Sequence, residues 1–211
     1  RQDAASLASG SSLRPAELYS RANTGNPVPK AWQPSGIAVD SFYIYWGNLE
    51  QGQAHGSLVK GSRMNLGALS QDALLLKMSD AVEEVRGVAA TGTHVFYVAP
   101  GGVYGVPKST PTTVSDPGQG LVAAAPAGDS NAVRWNPTGL AWDGDNTLYL
   151  TDSARGLVLS LPAQNVQDHN LTKFVDAPNV RAAAVVNFHA TGGAPAARLG
   201  LAAALLALLL G

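Results

Sequence analysis

The segment Trp32-Gln-Pro-Ser-Gly-Ile-Ala-Val-Asp40 returns further along as Trp135-Asn-Pro-Thr-Gly-Leu-Ala-Trp-Asp143, and a degenerate copy, Val85-Arg-Gly-Val-Ala-Ala-Thr91, lies midway. Aligned on Gly36, Gly87 and Gly139, the copies are 51 and 52 residues apart (87 minus 36, 139 minus 87). A repeat of that length is one supersecondary unit used again and again. Such a unit cannot bury its apolar face alone and must stack on its neighbours.

Each glycine opens a short apolar strand: Ile37 to Val39, Val88 to Ala90 and Leu140 to Trp142. Turn residues follow, as Asp40-Ser41, Thr91-Gly-Thr93 and Asp143-Gly-Asp-Asn146, where Asp-Gly and Gly-Thr pairs suit a tight hairpin. A second strand comes next, rich in β-branched and aromatic residues: Phe42 to Trp46, His94 to Val98 and Thr147 to Thr151. Tyr45, Tyr97 and Tyr149 are read as one repeat position. Glycine-containing turns lead to third strands at Leu58-Val59, Val103 to Val106 and Leu157 to Leu161. The fourth strands fall near Leu74 to Lys77, Leu121 to Ala123 and Leu171 to Val175.

Four antiparallel strands per unit, the innermost small and apolar, describe a β-propeller blade. Ala38, Ala89 and Ala141 suit a crowded central axis. The expected fold is therefore all-β: a partial, or oligomer-completed, β-propeller of four-stranded antiparallel blades, with a short apolar C-terminal helix. The competing β-sandwich requires the in-register Trp-x-Pro-x-Gly match to be coincidental. The expected division is an N-terminal extension over 1–31, repeats over 32–190, a linker over 191–198 and an apolar tail over 199–211. Blades fall near 32–82, 83–134 and 135–178, with a fragment over 179–190 in which Val180-Arg-Ala182 matches Val85-Arg-Gly87. A strand near Glu17-Leu-Tyr19 is expected to complete part of the last blade. Three blades and a fragment do not close a ring, so a truncated product, half of a dimeric ring, or an open arc leaning on a partner is expected. A start at Arg1 rather than Met points to an N-terminal piece processed away or left out.

At these residues the chain resembles the NHL/YWTD/gluconolactonase group of propellers. Pro137 to Asp152 is similar to their strand-turn-strand signature. Tyr45-Trp-Gly-Asn48 and Tyr149-Leu-Thr-Asp152 occupy the place of the Tyr-Trp-Thr-Asp motif, and Tyr97-Val-Ala-Pro100 departs from it. Proteins of this group include enzymes, receptors and scaffolds, so the resemblance implies a fold more than an activity. The gluconolactonase-type enzymes use an Asn after the proline as a metal ligand. Here Ser35 and Thr138 stand in that place.

Charged residues make up 14% of the 211, the net charge is −1 and no basic cluster is present, which leaves no electrostatic footprint for nucleic acid. The absence of Cys excludes disulfides, thiolate metal sites and a Cys nucleophile. His55, His94, His169 and His189 are scattered, without ligand spacing. Gly118-Gln-Gly120 formally opens a dinucleotide fingerprint but follows Asp116-Pro117 rather than a strand, and reads as a loop. Asp143 and Asp145, with Asn146, form a candidate hard-cation loop, although a hairpin turn explains them as well. Trp46, Asn48, Tyr104 and Trp142 are the candidate contact residues on blade-top loops. Asn170-Leu-Thr172 is a glycosylation sequon.

The final Leu199 to Gly211 is wholly apolar. As a helix it rises roughly 20 Å, short of the ~30 Å hydrocarbon core. Small residues ahead of it resemble a glycolipid (GPI) attachment signal with Gly192 or Gly193 as acceptor. A short membrane anchor and a terminal helix buried against the domain are the competing readings. The expectation is a non-catalytic binding or scaffold module at a cell surface or the extracellular face of a membrane, engaging a protein or glycan, without a cofactor. The alternatives are a lactonase-like hydrolase holding a divalent cation, and an accessory subunit of a membrane complex, on the lumenal side of an organellar membrane. A homo-oligomer completing the ring is expected among the partners.

Overall fold

A computed structural model describes residues 17–20, 31–49, 56–63, 74–78, 84–109, 120–126, 135–164, 169–187 and 203–207. Among these the protein is all-β, with no α-helix. The first sheet contains β1 (Pro34–Val39), β2 (Tyr43–Asn48), β3 (Ser57–Ser62) and β4 (Leu74–Met78). The second contains β5 (Gly87–Ala90), β6 (His94–Ala99), β7 (Gly102–Pro107) and β8 (Leu121–Ala124). The third contains β9 (Pro137–Trp142), β10 (Thr147–Asp152), β11 (Leu157–Pro162) and β12 (Thr172–Asp176). A two-stranded sheet, β13 (Ala183–Asn187) and β14 (Ala203–Ala207), follows. In every four-stranded sheet the strands pair antiparallel in chain order, as a meander.

The turn after each first strand is held the same way. Asp40 N donates to Tyr43 O, Thr91 N to His94 O, and Asp143 N to Thr147 O. Side chains reinforce it: Asp40 Oδ1 accepts from the N–H of Phe42 and Tyr43, Thr91 Oγ1 from His94 N, and Asp143 Oδ1 from the N–H of Asp145 and Thr147. These short oxygen-bearing side chains are turn formers because they satisfy backbone donors locally.

The first strands stack side by side, β1 on β5 and β5 on β9, with β13 continuing the series against β9. Glycine permits this approach. A Cβ on Gly36 would lie 2.8 Å from Arg86 O and Val88 N, and one on Gly87 would lie 2.8 Å from Leu140 N and 2.9 Å from Gly139 C. Those neighbours are backbone atoms, which cannot swing aside. The three repeat glycines therefore form a column through which adjacent sheets touch.

Each sheet has an upstream face and a downstream face. The downstream Ala38, Tyr45 and Leu58 of the first sheet meet the upstream Val88, Val95 and Tyr97 of the second. The downstream Ala89, Phe96, Val98 and Val103 of the second meet the upstream Leu140, Leu148, Leu150, Leu159 and Leu161 of the third. Each fully buried Leu or Phe contributes about 1.5–3 kcal/mol relative to exposure. The sheets do not close on one another among the described residues.

Three expectations are corrected. Tyr97 does not share a repeat position with Tyr45 and Tyr149. It pairs with Val88, one residue after the repeat glycine, whereas Tyr45 and Tyr149 pair with Ala38 and Ala141, two residues after it. A one-residue slip sends a strand side chain to the other face, so Tyr97 looks upstream and Phe96 takes the downstream place. The Glu17–Tyr19 segment is not a strand. It packs on the upstream face of the first sheet, where the Tyr19 ring lies 4.9 Å from that of Trp46 and its hydroxyl donates to Ser62 O at 2.9 Å. The apolar tail is not a helix at 203–207. There its backbone pairs with β13, from Ala203 opposite Asn187 to Ala207 opposite Ala183. A run of Ala and Leu without polar punctuation carries no period that separates helix from strand, and the unpaired edge of β13 decides it. No helix among the described residues is long and apolar enough to cross a membrane.

Candidate functional site

The first sheet presents the most unusual surface of the molecule. On its upstream face Ile37 is 68% exposed and Val39 53%. The repeat equivalents of Ile37, Val88 and Leu140, are buried at 3% and 7%, and those of Val39, Ala90 and Trp142, are half-buried, because a preceding sheet packs against them. Beside Ile37 and Val39 the same face carries the buried Ile44, Trp46 and Val59, sheltered by Leu18 and Tyr19. Between the sheltered and bare halves runs an open cleft of about 480 Å³, walled by Tyr19, Pro34, Ile37, Ile44 and Trp46, with Glu17 and Ser35 at its polar rim. Its chemistry is that of a half-built sheet interface: apolar, broad and without a convergent set of polar groups.

A second feature lies at the turn end of the first two sheets. Lys108, just past β7, reaches across to Asp40 Oδ2 at 2.7 Å, and the Tyr45 hydroxyl donates to the same oxygen at 2.9 Å. Lys60 donates to Lys108 O at 3.1 Å while its ammonium sits 3.9 Å over the Tyr43 ring. Burial opposes ionisation of Asp40, but the Lys108 ammonium, the two backbone N–H groups and the Tyr45 hydroxyl outweigh it and hold the carboxyl well below its usual range. Burial, together with the Asp40 carboxylate, pushes the Tyr45 phenol above its usual range. The charged and hydroxyl groups of this node face one another, so it acts as a polar clasp between two sheets.

At the opposite end the sheets are tied by shorter links. Ser35 Oγ donates to Val85 O at 2.6 Å, and Val85 N donates to Asn48 O. Arg86 pairs with Glu84 and donates to Asn136 Oδ1, and Trp135 Nε1 donates to Ala99 O.

The four residues expected on blade-top loops do not converge. Trp46 is 5% exposed on the upstream face of the first sheet, where it forms a wall of the cleft. Asn48 is fully buried, accepting from Trp32 N through Oδ1 and donating to Ser57 Oγ. Tyr104 stacks on Tyr97 at 5.1 Å within the seam of the first two sheets. Trp142 packs against the core of the second and third sheets and donates to Asp145 O. Asp152 Oδ1 accepts from the N–H of Asn136, Ala154 and Arg155. Asn48 and Asp152 thus each anchor the segment leading into their own sheet.

Asp143 keeps Oδ1 on its own turn, Asp145 is exposed, and no group of three or more His, Asp or Glu suited to a metal occurs among the described residues. Burial raises the Asp143 pKa, but the turn N–H groups more than compensate, and its carboxyl is held low. Asn170 is exposed just ahead of β12. Gly192 and Gly193, together with His55 and His189, lie outside the described residues.

Sequence reasoning did not single out Ile37, Val39 or Tyr19. The available signal was the repeat itself, since an apolar position whose equivalents are buried demands a cover. No family model matches the chain, and no curated protein matches it.

Proposed function

We propose that the chain is a propeller-type, non-catalytic binding module of the NHL/YWTD kind, which holds a protein partner against the upstream face of its first sheet. The observation that carries this reading is the exposure of Ile37 and Val39, whose equivalents in the next two repeats are buried (Val88, Leu140) or half-buried (Ala90, Trp142). A contiguous apolar patch on a sheet face of the kind that is packed elsewhere in the chain marks an interaction surface. The sheet seams support a stacking mode of recognition, because the same small and apolar positions already mate sheet to sheet within the chain. The polar groups support it too: Asp40, Lys108, Asn48 and the Oδ1 of Asp152 are engaged in internal links. The exposed Asn170 sequon supports a secretory setting, at the outer face of a membrane.

The test is capture on immobilised protein, comparing the wild type with Ile37→Asp/Val39→Asp and measuring bound metal in the same preparation. A stoichiometric protein ligand retained by the wild type and lost from the double variant is the expected result. A stoichiometric divalent ion accompanied by lactone hydrolysis that the double variant leaves intact replaces this reading with an enzymatic one.

A further inference from the structure

Two incomplete layers flank the three full sheets, and they are incomplete in opposite ways. Upstream of the first sheet the outer half is covered: Leu18 and Tyr19 lie over Trp46 and Val59, on β2 and β3. The inner half, Ile37 and Val39 on β1, is bare. Downstream of the third sheet the inner half is covered, since β13 lies against β9 and β10 and pairs with β14. The outer half is bare. Phe174 is 52% exposed and Val175 42% on β12, with Phe174 edge-on to Tyr149 at 5.0 Å.

We infer that these two half-layers belong together, and that a second copy of this chain is the occupant of the bare upstream face. The β13–β14 sheet of one copy stacks on Ile37 and Val39 of the other. The Glu17–Tyr19 segment of that other copy comes to lie over Phe174 and Val175 of the first. One shared layer then replaces two partial ones, and it continues the glycine-column stacking that already joins β1 to β5 and β5 to β9. The occupant is argued from this complementarity. The covered half of each end matches the bare half of the other, and both internal seams already mate a downstream face with an upstream one. Within one chain the two ends do not meet among the described residues, so the contact is between copies. This inference rests on the proposed sheet-stacking mode and names its partner.

The experiment joins mass measurement with site-specific cross-linking, which is clean because the chain has no Cys. Sedimentation of the wild type at micromolar concentration is expected to give at least twice the chain mass. Ile37→Asp/Val39→Asp is expected to give the mass of a single chain, with association weakened roughly a hundredfold or more, the scale of a lost interface centre. Mixing a Glu17→Cys copy with a Phe174→Cys copy and adding a short bismaleimide is expected to join the two chains. A wild type that stays monomeric at every concentration overturns the inference. So does a doubly substituted chain that links only within itself, which means that the ends close in one copy. Either result leaves the binding reading standing if the double variant still loses its captured protein. Should Ile37→Asp/Val39→Asp misfold, the cross-link between separate copies decides alone.

Discussion

The seam between the first and second sheets and the seam between the second and third share one repeat frame but differ in chemistry. The first is aromatic and polar, with Tyr45, Tyr97 and Tyr104 packed near the Asp40–Lys108 clasp. The second is apolar through its centre, Phe96 and Val98 against five leucines, and its hydrogen bonds lie around that centre, at Trp135, Arg86 and His169, whose backbone N–H donates to Val122 O. The repeat thus fixes how closely sheets approach, through the glycine column, and leaves the filling of each seam open. The cause is local. The slip that turns Tyr97 upstream places it, with its stacked neighbour Tyr104, in the same seam as Tyr45.

The largest expected effect lies in the apolar seam. Leu150→Ala leaves a cavity in a core with no polar group to fill it, and a loss of about 3 kcal/mol is expected in denaturant unfolding. If the loss is under about 1 kcal/mol, the seam is not packed as described. Gly87→Ala strikes the seam between the second and third sheets, because its methyl group meets the backbone of β9. A loss of about 2 kcal/mol is expected, the cost of overpacking against atoms that cannot rotate away. Unchanged unfolding would separate the sheets at that point.

The clasp comes next. Asp40→Ala removes a partly exposed ion pair and a turn acceptor, so about 1 kcal/mol is expected at neutral pH. The pH dependence gives the sign. A carboxyl held below its usual range stabilises the fold above the unfolded pKa of about 4, and that contribution fades as pH falls below it. The wild type and Asp40→Ala should therefore draw together as pH falls below about 4, the gap closing only in strong acid. A gap that persists in acid assigns the effect to packing and not to charge. The smallest stability effect is expected for Ile37→Asp, within about 0.5 kcal/mol, since the side chain is bare in the isolated chain. This variant sharpens the comparison from outside: it should spare both seams and change only association.

Much of the sheet architecture was legible in advance. The expected second strand at Thr147 to Thr151 runs to Asp152, and the expected third strand at Leu157 to Leu161 runs to Pro162. Turn chemistry at Asp40, Thr91 and Asp143 needed only the residue types, because each acts on a donor two to four residues away. The candidate contact residues were less legible. Trp46 and Trp142 end apolar strands in the sequence, and nothing local tells a rim position from a core one. Asn48 reads as a surface amide until Trp32 N and Ser57 Oγ are seen around it. The tail at 203–207 was misread because Ala and Leu serve helix and strand alike until an edge strand offers partners.

The sequence by itself determined the strands, their turns and the spacing of the repeat, because hydrogen-bond period and turn residues act over a few positions. The tertiary structure alone decided which face each aromatic residue took, which polar groups clasp neighbouring sheets, and that Ile37 and Val39 go uncovered. Those outcomes depend on register and on neighbours about fifty residues away in a repeat of this kind, and single-residue slips invisible in composition reverse them.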